Sequence, residues 1–438
     1  MIEHPDPARL TAAAPHAWIT LDRAARRSSW NPPHWVTAAA RRLDRGHPLD
    51  LLVAACHPDG HVREAAVTAI DALDDTTALP VLALRAADWV PQVRDRAREA
   101  CARRTPVEVV TALAPLALAV ERREAGRWLA DVVRALLRTS PAALTAALSS
   151  PDRRTRRAAY AIAVETGLST EHLLRAARTD PDLPVRILCA DAAIRSTADR
   201  EVISGLLTSG TAAIRAHALQ ALGDTGSAVA ALPDRTAIVR ATARFVLRRA
   251  GHDPAAHYRS LLADGLPSVI AGLGECGTHS DIALLLPWLG HPSSRGRAET
   301  VRALRRLGHP PIDLLPLLTD PVSSVTRQVA TALLPHARSL DPTALLPLLH
   351  EAPHIQTAAY RLLRAHGAWT RLATDLRLIA LPDHPLHTAA RADLADWLLR
   401  EAATAYTAPP AELSALLTRC EPVLDPERVR VLRFHIGG

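Results

Sequence analysis

The stretch Asp59-Gly60-His61-Val62-Arg63-Glu64-Ala65-Ala66-Val67-Thr68-Ala69-Ile70 decides the fold. It leaves a Pro/Asp/Gly turn, passes an apolar residue and an arginine, and runs into alanine-rich sequence. Val62, Ala66 and Ile70 are spaced by four, so they share one face of a helix. The same order returns at Asp88-Trp89-Val90-Pro91-Gln92-Val93-Arg94, from Asp152 to Arg156, from Asp182 to Arg186, at Ile214-Arg215 and at Val239-Arg240. Looser copies stand at Val269, Gly296-Arg297, Val325, Ile355 and Leu386. The arginines are 31 residues apart from Arg63 to Arg94, 30 from Arg156 to Arg186 and 29 from Arg186 to Arg215. Arg94 to Arg156 is 62, two periods, which predicts a degenerate copy near Arg127. Such a period means stacked supersecondary units.

Within each copy the position four residues past the apolar one is small: Ala66, Ala97, Ala159, Cys189, Ala218, Ala243, Ala359 and Ala390. Eight past it come Ile70, Cys101, Ala163, Ala193, Leu222, Leu247, Leu333, Leu363 and Leu394. A small middle residue lets neighbouring helices approach closely. Before the turns lie leucine-rich runs such as Leu314-Leu315-Pro316-Leu317-Leu318 and Leu345-Leu346-Pro347-Leu348-Leu349. Each unit therefore reads as two antiparallel helices joined by a tight turn. The fold class is all-α, an α-solenoid of stacked helix pairs.

The Asp-x-x-Val-Arg turn followed by an Ala-x-x-x-Leu helix resembles the HEAT repeat family. Its short period is closer to the HEAT-like repeats named after phycobilisome lyases than to the longer eukaryotic type. The resemblance covers roughly residues 47–400. It implies that Asp caps or opens the second helix, that Arg63 and Arg186 brace the stack against Asp of a neighbouring unit, and that second helices line a concave face. Residues 1–46, with Trp18, Trp30 and Trp35, read as an N-terminal helical cap, and 401–438 as a C-terminal one, because terminal repeats lack a neighbour on one side.

Composition agrees. Hydrophobic residues are 48% of the 438, yet aromatics are 3%. The apolar mass is Ala, Leu and Val, which favours helices over strands. The formal charge is +7, and every basic residue is Arg. Interspersed acids make that excess a mild pointer to nucleic acid. Five dispersed cysteines without a Cys-x-x-Cys exclude a disulfide framework or a structural zinc site. The uncharged run Val109 to Val120 is too short to span a bilayer and contains Pro115. A cytoplasmic protein without a membrane role is expected.

No Gly-x-Ser-x-Gly, phosphate-binding loop or dinucleotide fingerprint is present. HEAT-like hydroxylases with two irons repeat a His-Glu dipeptide; here it occurs once, at His350-Glu351, and the pairs His350/His354 and His384/His387 sit beside prolines. No metal or cofactor is expected. Resemblance to HEAT-like alkylpurine DNA glycosylases would draw on Trp128 with Asp131, or Trp89 with Asp88. Arg98, Arg157, Arg244 and Arg248 are extra to the repeat pattern and, with Tyr160, are the candidate binding residues. The function expected is a non-catalytic scaffold binding a protein partner on its concave face. The alternative is a nucleic-acid-binding repeat protein, with glycosylase activity as a special case. The oligomeric state stays open.

Ala159→Leu tests the face assignment: overpacking between helices should cost about 1–3 kcal/mol, read as a lowered urea midpoint.

Overall fold

The computed structural model describes residues 15–26, 32–73, 77–402 and 408–437. Trp30 of the expected N-terminal cap, and part of the expected C-terminal cap, lie outside these residues. Every regular element among them is helical and no strand occurs, so the chain is an all-α solenoid of helix pairs. None of these helices is long and apolar enough to cross a membrane. Contacts gather into two compact units, residues 1–221 and 222–438.

In the first unit, α1 (Pro15–Ala25) precedes the repeats. The second helices of successive pairs are α2 (Gly60–Asp71), α3 (Pro91–Ala102), α4 (Arg127–Thr139), α5 (Arg153–Thr166) and α6 (Leu183–Ser196). Helix α2 packs on α3, α4 on α5, and α5 on α6. Helix α4 is the degenerate copy expected near Arg127. Its partner segment carries a π-helical turn at Val109–Leu113 that runs into Pro115. In the second unit the corresponding helices are α7 (Ala237–Arg249), α8 (Pro267–Cys276), α9 (Ser294–Arg306), α10 (Ser323–Leu333) and α11 (Pro353–His366), followed by α12 (Ala368–Ile379) and α13 (His387–Arg400). Helices α8 to α11 stack consecutively.

The helix face read from the spacing of four is the buried one. Ala66, Ala97, Ala159, Cys189, Ala243, Ala359 and Ala390 are all fully buried, and so are Ile70, Leu247, Leu333, Leu363 and Leu394. Where the pattern loosens, helices come closest. A Cβ on Gly274 of α8 would lie 2.3 Å from Ala303 Cβ of α9, and one on Gly296 would strike the His291 ring. Glycine replaces the usual residues there because no side chain fits. The leucine-rich runs differ from expectation. Pro311–Thr319 and Leu346–His350 are 3₁₀ segments, since Pro316 and Pro347 remove an amide donor from the middle of each run.

Arginine at the repeat position joins units. Arg63 Nη1 donates to the carbonyls of His57 (3.0 Å) and Pro58 (2.7 Å) in its own turn, while Nε and Nη2 grip Asp88 of the next turn at 3.1 and 3.0 Å. Arg297 does the same with His291, Pro292 and Asp320. Arg156 holds Ser150 and Pro151 carbonyls and reaches Asp180 at 3.4 Å. The aspartates also close their own turns: Asp88, Asp180 and Asp320 accept the amides of Val90, Asp182 and Val322. Asp59 and Asp152, in contrast, cap their helices. Arg186 does not join this ladder. Its Nε is buried without a partner, and Asp182 is taken by Arg157.

Near the chain start the clamp widens. Arg85 bridges Asp88 (2.8 Å) and Asp22 of α1, and Arg26 contacts both aspartates. This network ties α1 to the first two repeats, with Trp18 buried beside it. Arg63→Met should therefore cost about 1–3 kcal/mol in urea unfolding, because the His57 and Pro58 carbonyls lose their donor while Asp88 keeps Arg85 and Arg26. A loss below about 1 kcal/mol, the value of a surface pair, would show that the ladder does not bind the stack.

Candidate functional site

The five sequence-derived candidates fall in two units. In the first, Arg98 lies over the Trp128 ring at 5.0 Å and donates to the carbonyls of Ala86 and Ala125. Arg157 forks onto Asp182 at 2.7 and 2.9 Å and holds that carboxyl below its ordinary range. Tyr160 is half-buried, and burial pushes its hydroxyl up. In the second unit, Arg244 is largely buried and paired with Glu275, whereas Arg248 is exposed and makes no hydrogen bond or ion pair among the described residues. Arg98, Arg157 and Arg244 thus spend their guanidinium groups on packing between repeats. They are not free donors for a phosphate stripe.

The second unit does hold an open cleft of about 540 Å³ around Arg244. Ala237 and Ala241 of α7, Gly274, Glu275 and Gly277 at the end of α8, and Arg306 and Leu307 at the end of α9 line it. Arg240 reaches Glu275 with Nε at 3.2 Å and Nη2 at 2.5 Å, Arg244 adds Nη1, and Arg306 stands 3.8 Å away. Burial would raise the Glu275 pKa, but Arg240 and Arg244 outweigh it and hold the carboxylate below its ordinary range. Burial alone would lower Arg244, and Glu275 reverses that. Tyr258 underneath donates to the Leu232 carbonyl at 3.0 Å, and burial pushes its hydroxyl up to about 12. On the same helix α7, Ile238 and Phe245 are 52% and 47% exposed. Arg244 was legible as an off-pattern arginine. Glu275 and the apolar pair were not singled out, although Glu275 is the lone acid of its helix.

The other reactive-looking groups are enclosed or occupied. Trp89 is 75% exposed, but its neighbour Asp88 is buried among three arginines. Trp128 stacks under Arg98 and Asp131 pairs with Arg134 at 3.2 Å. His354 and His384 meet the carbonyls of Asp320 and Leu349, and the His350 and His384 rings sit edge to face. Among the described residues no group of three or more His, Cys, Asp or Glu could hold a metal ion. Burial raises the cysteine thiols, Cys101 and Cys189 to about 12 and Cys276 and Cys420 to about 11.

The most perturbed acid is Asp375, wholly buried on α12. Tyr360 of α11 donates to its Oδ1 at 2.7 Å, while Oδ2 is buried without a partner. Burial, with Asp393 nearby, pushes its pKa up to about 8. Asp393 stays charged, because Arg371 and Arg364 outweigh its own burial.

No family model matches the chain, and no curated protein matches it. Among solved structures it is similar to an importin beta crystallised from ammonium sulfate, at 13% identity and a TM-score of 0.39, covering 95% of this chain and 66% of that one. A structure of Kap95p with RanGDP, concerned with nuclear import complex assembly, matches at 13% identity and a TM-score of 0.40, covering 97% of this chain and 66% of that chain. The chain thus spans just under two thirds of their length. The solenoid assignment rests on the helix pairing above.

Asp375 makes a pH test. Its folded pKa lies above the unfolded value, so the folded state holds a proton that the unfolded state releases between roughly pH 4 and pH 8. Stability should fall as pH rises through that window, by up to about 1.4 kcal/mol per unit from this group. Asp375→Asn should remove that slope. Urea midpoints at several pH values check it: the advantage of the variant over wild type should grow with pH, and a constant difference would refute the protonated form.

Proposed function

We propose that the protein is a non-catalytic HEAT-repeat scaffold that binds a protein partner on the face lined by its second helices. The observation that carries this is the open cleft of the second unit, lined by arginines and small residues, with two exposed apolar side chains on one of its helices, α7. Mixed basic and apolar character, with an arginine and an aromatic together, is the chemistry of protein recognition sites. The period near 30 residues supports the short HEAT-like type, and five free thiols support a cytoplasmic setting. The nucleic-acid alternative needs free arginines in number, and three of the four proposed for it are engaged inside the protein.

A photo-crosslinking residue at Ala241, expressed in the native host, should trap a protein, while one at exposed Ala256 on the following helix, Pro254–Leu261, should not. Crosslinks only at position 256, or none at either, would remove this reading. Duplex DNA should bind weakly; tight binding with a steep salt slope would transfer the assignment to nucleic acid.

A further inference from the structure

Two arginines more than its one carboxylate can neutralise surround the cleft of the second unit. Both oxygens of Glu275 are already filled: Arg240 and Arg244 donate to them directly. Arg306 at 3.8 Å is too far for a hydrogen bond and is 41% exposed at its side chain. Its guanidinium therefore faces the cleft with its planar fork unfilled, and a bidentate acceptor suits that fork. On α7, whose Ala237, Ala241 and Arg244 line the cleft, Ile238 and Phe245 are seven residues apart and lie on one face. Arg249 rests over the Phe245 ring at 5.7 Å, and Phe245 stays 47% exposed. Ala237 and Ala241 in the cleft lining are too short to obstruct an approaching chain.

We propose that this cleft takes an acidic segment of a protein partner that also carries apolar side chains. A partner carboxylate meets the open fork of Arg306, and an aliphatic or aromatic residue covers Phe245 and Ile238. The proposal rests on the scaffold reading above and adds the chemistry of the partner. Charge complementarity selects an acid. The apolar pair selects a peptide over a phosphate backbone, which offers nothing to Ile238. A surplus of about two charges is also small beside the six to ten phosphate contacts of a typical DNA-binding surface. Because the cleft walls are partly dry, pairing at Arg306 is screened less than on an open surface.

The probe is a fluorescein-labelled peptide made of two copies of Glu-Glu-Leu-Phe-Ala-Glu-Leu, measured by anisotropy against the full-length protein. Binding should weaken about tenfold with Arg306→Ala, with Phe245→Ala and with Ala241→Trp, a loss of about 1.4 kcal/mol each. Arg305→Ala, exposed but outside the cleft, should bind as wild type does. The same peptide with Gln for Glu should also bind about tenfold more weakly. Circular dichroism shows that each variant is folded. In Glu275→Gln, which keeps the side-chain shape, the peptide should raise the melting temperature more than it does in wild type.

Equal binding of the Glu and Gln peptides, no binding of either, or indifference to Arg306→Ala overturns the proposal. Displacement of the peptide by duplex DNA with a salt slope well above two also overturns it, in favour of nucleic acid. If crosslinking at Ala241 still traps a protein while the peptide fails, the scaffold reading stands and only the acidic chemistry is wrong.

Discussion

The stack depends on arginines that are desolvated and yet fully employed. Arg63 is wholly buried, as is the Asp88 it holds. A charge in such a place is tolerable only when its donors are used, and Arg63 directs four hydrogen bonds into two successive turns. One side chain thereby sets the separation and register of neighbouring repeats. Apolar packing through alanine faces is less particular, because small side chains permit sliding. The ladder supplies the specificity, and the alanines supply the close approach that lets the arginine span the gap.

This division explains what could be read from the sequence and what could not. Helix faces follow from a spacing of four, so the buried character of Ala66, Ala159 or Leu363 was legible. Which arginine meets which aspartate was less so. Arg156 and Arg157 are adjacent and chemically identical, and both reach the following turn, one to Asp180 and one to Asp182. Arg186, in the same repeat slot as Arg63, has its Nε buried without a partner. Partner choice depends on a rotation of a few tens of degrees about the helix axis, which the repeat pattern does not encode. The leucine-rich runs show a second limit. Their hydrophobic pattern suits a helix, but a central proline converts them to 3₁₀ turns without moving the leucines from the core.

The cleft arises where the ladder changes its partner. The turn before α8 carries Asp264, placed before Val269 as Asp88 is before Val93, but Asp264 is exposed and Arg240 pairs elsewhere. The carboxylate comes instead from Glu275, 35 residues on and at the far end of α8. Moving the acid there draws Arg240, Arg244 and Arg306 together and opens space above Gly274 and Gly277. Those glycines are present for packing against Ala303 and Asp281, so the concavity is a by-product of close helix approach.

Burial then separates two kinds of charge in the second unit. Around Asp375 the surroundings are closed, and the acid answers by keeping its proton, since desolvation outweighs the pull of Arg371. Around Glu275 the surroundings are open on one side, and excess cations persist there because water reaches Arg306. Arginine does not shed its proton, so a sealed surplus would cost the fold its stability. An open surplus costs little and leaves donors facing outward. Of the two clusters, only the open one can exchange water for a partner's carboxylate, and so the same arginine chemistry that builds the stack becomes available for recognition where Arg306 faces water.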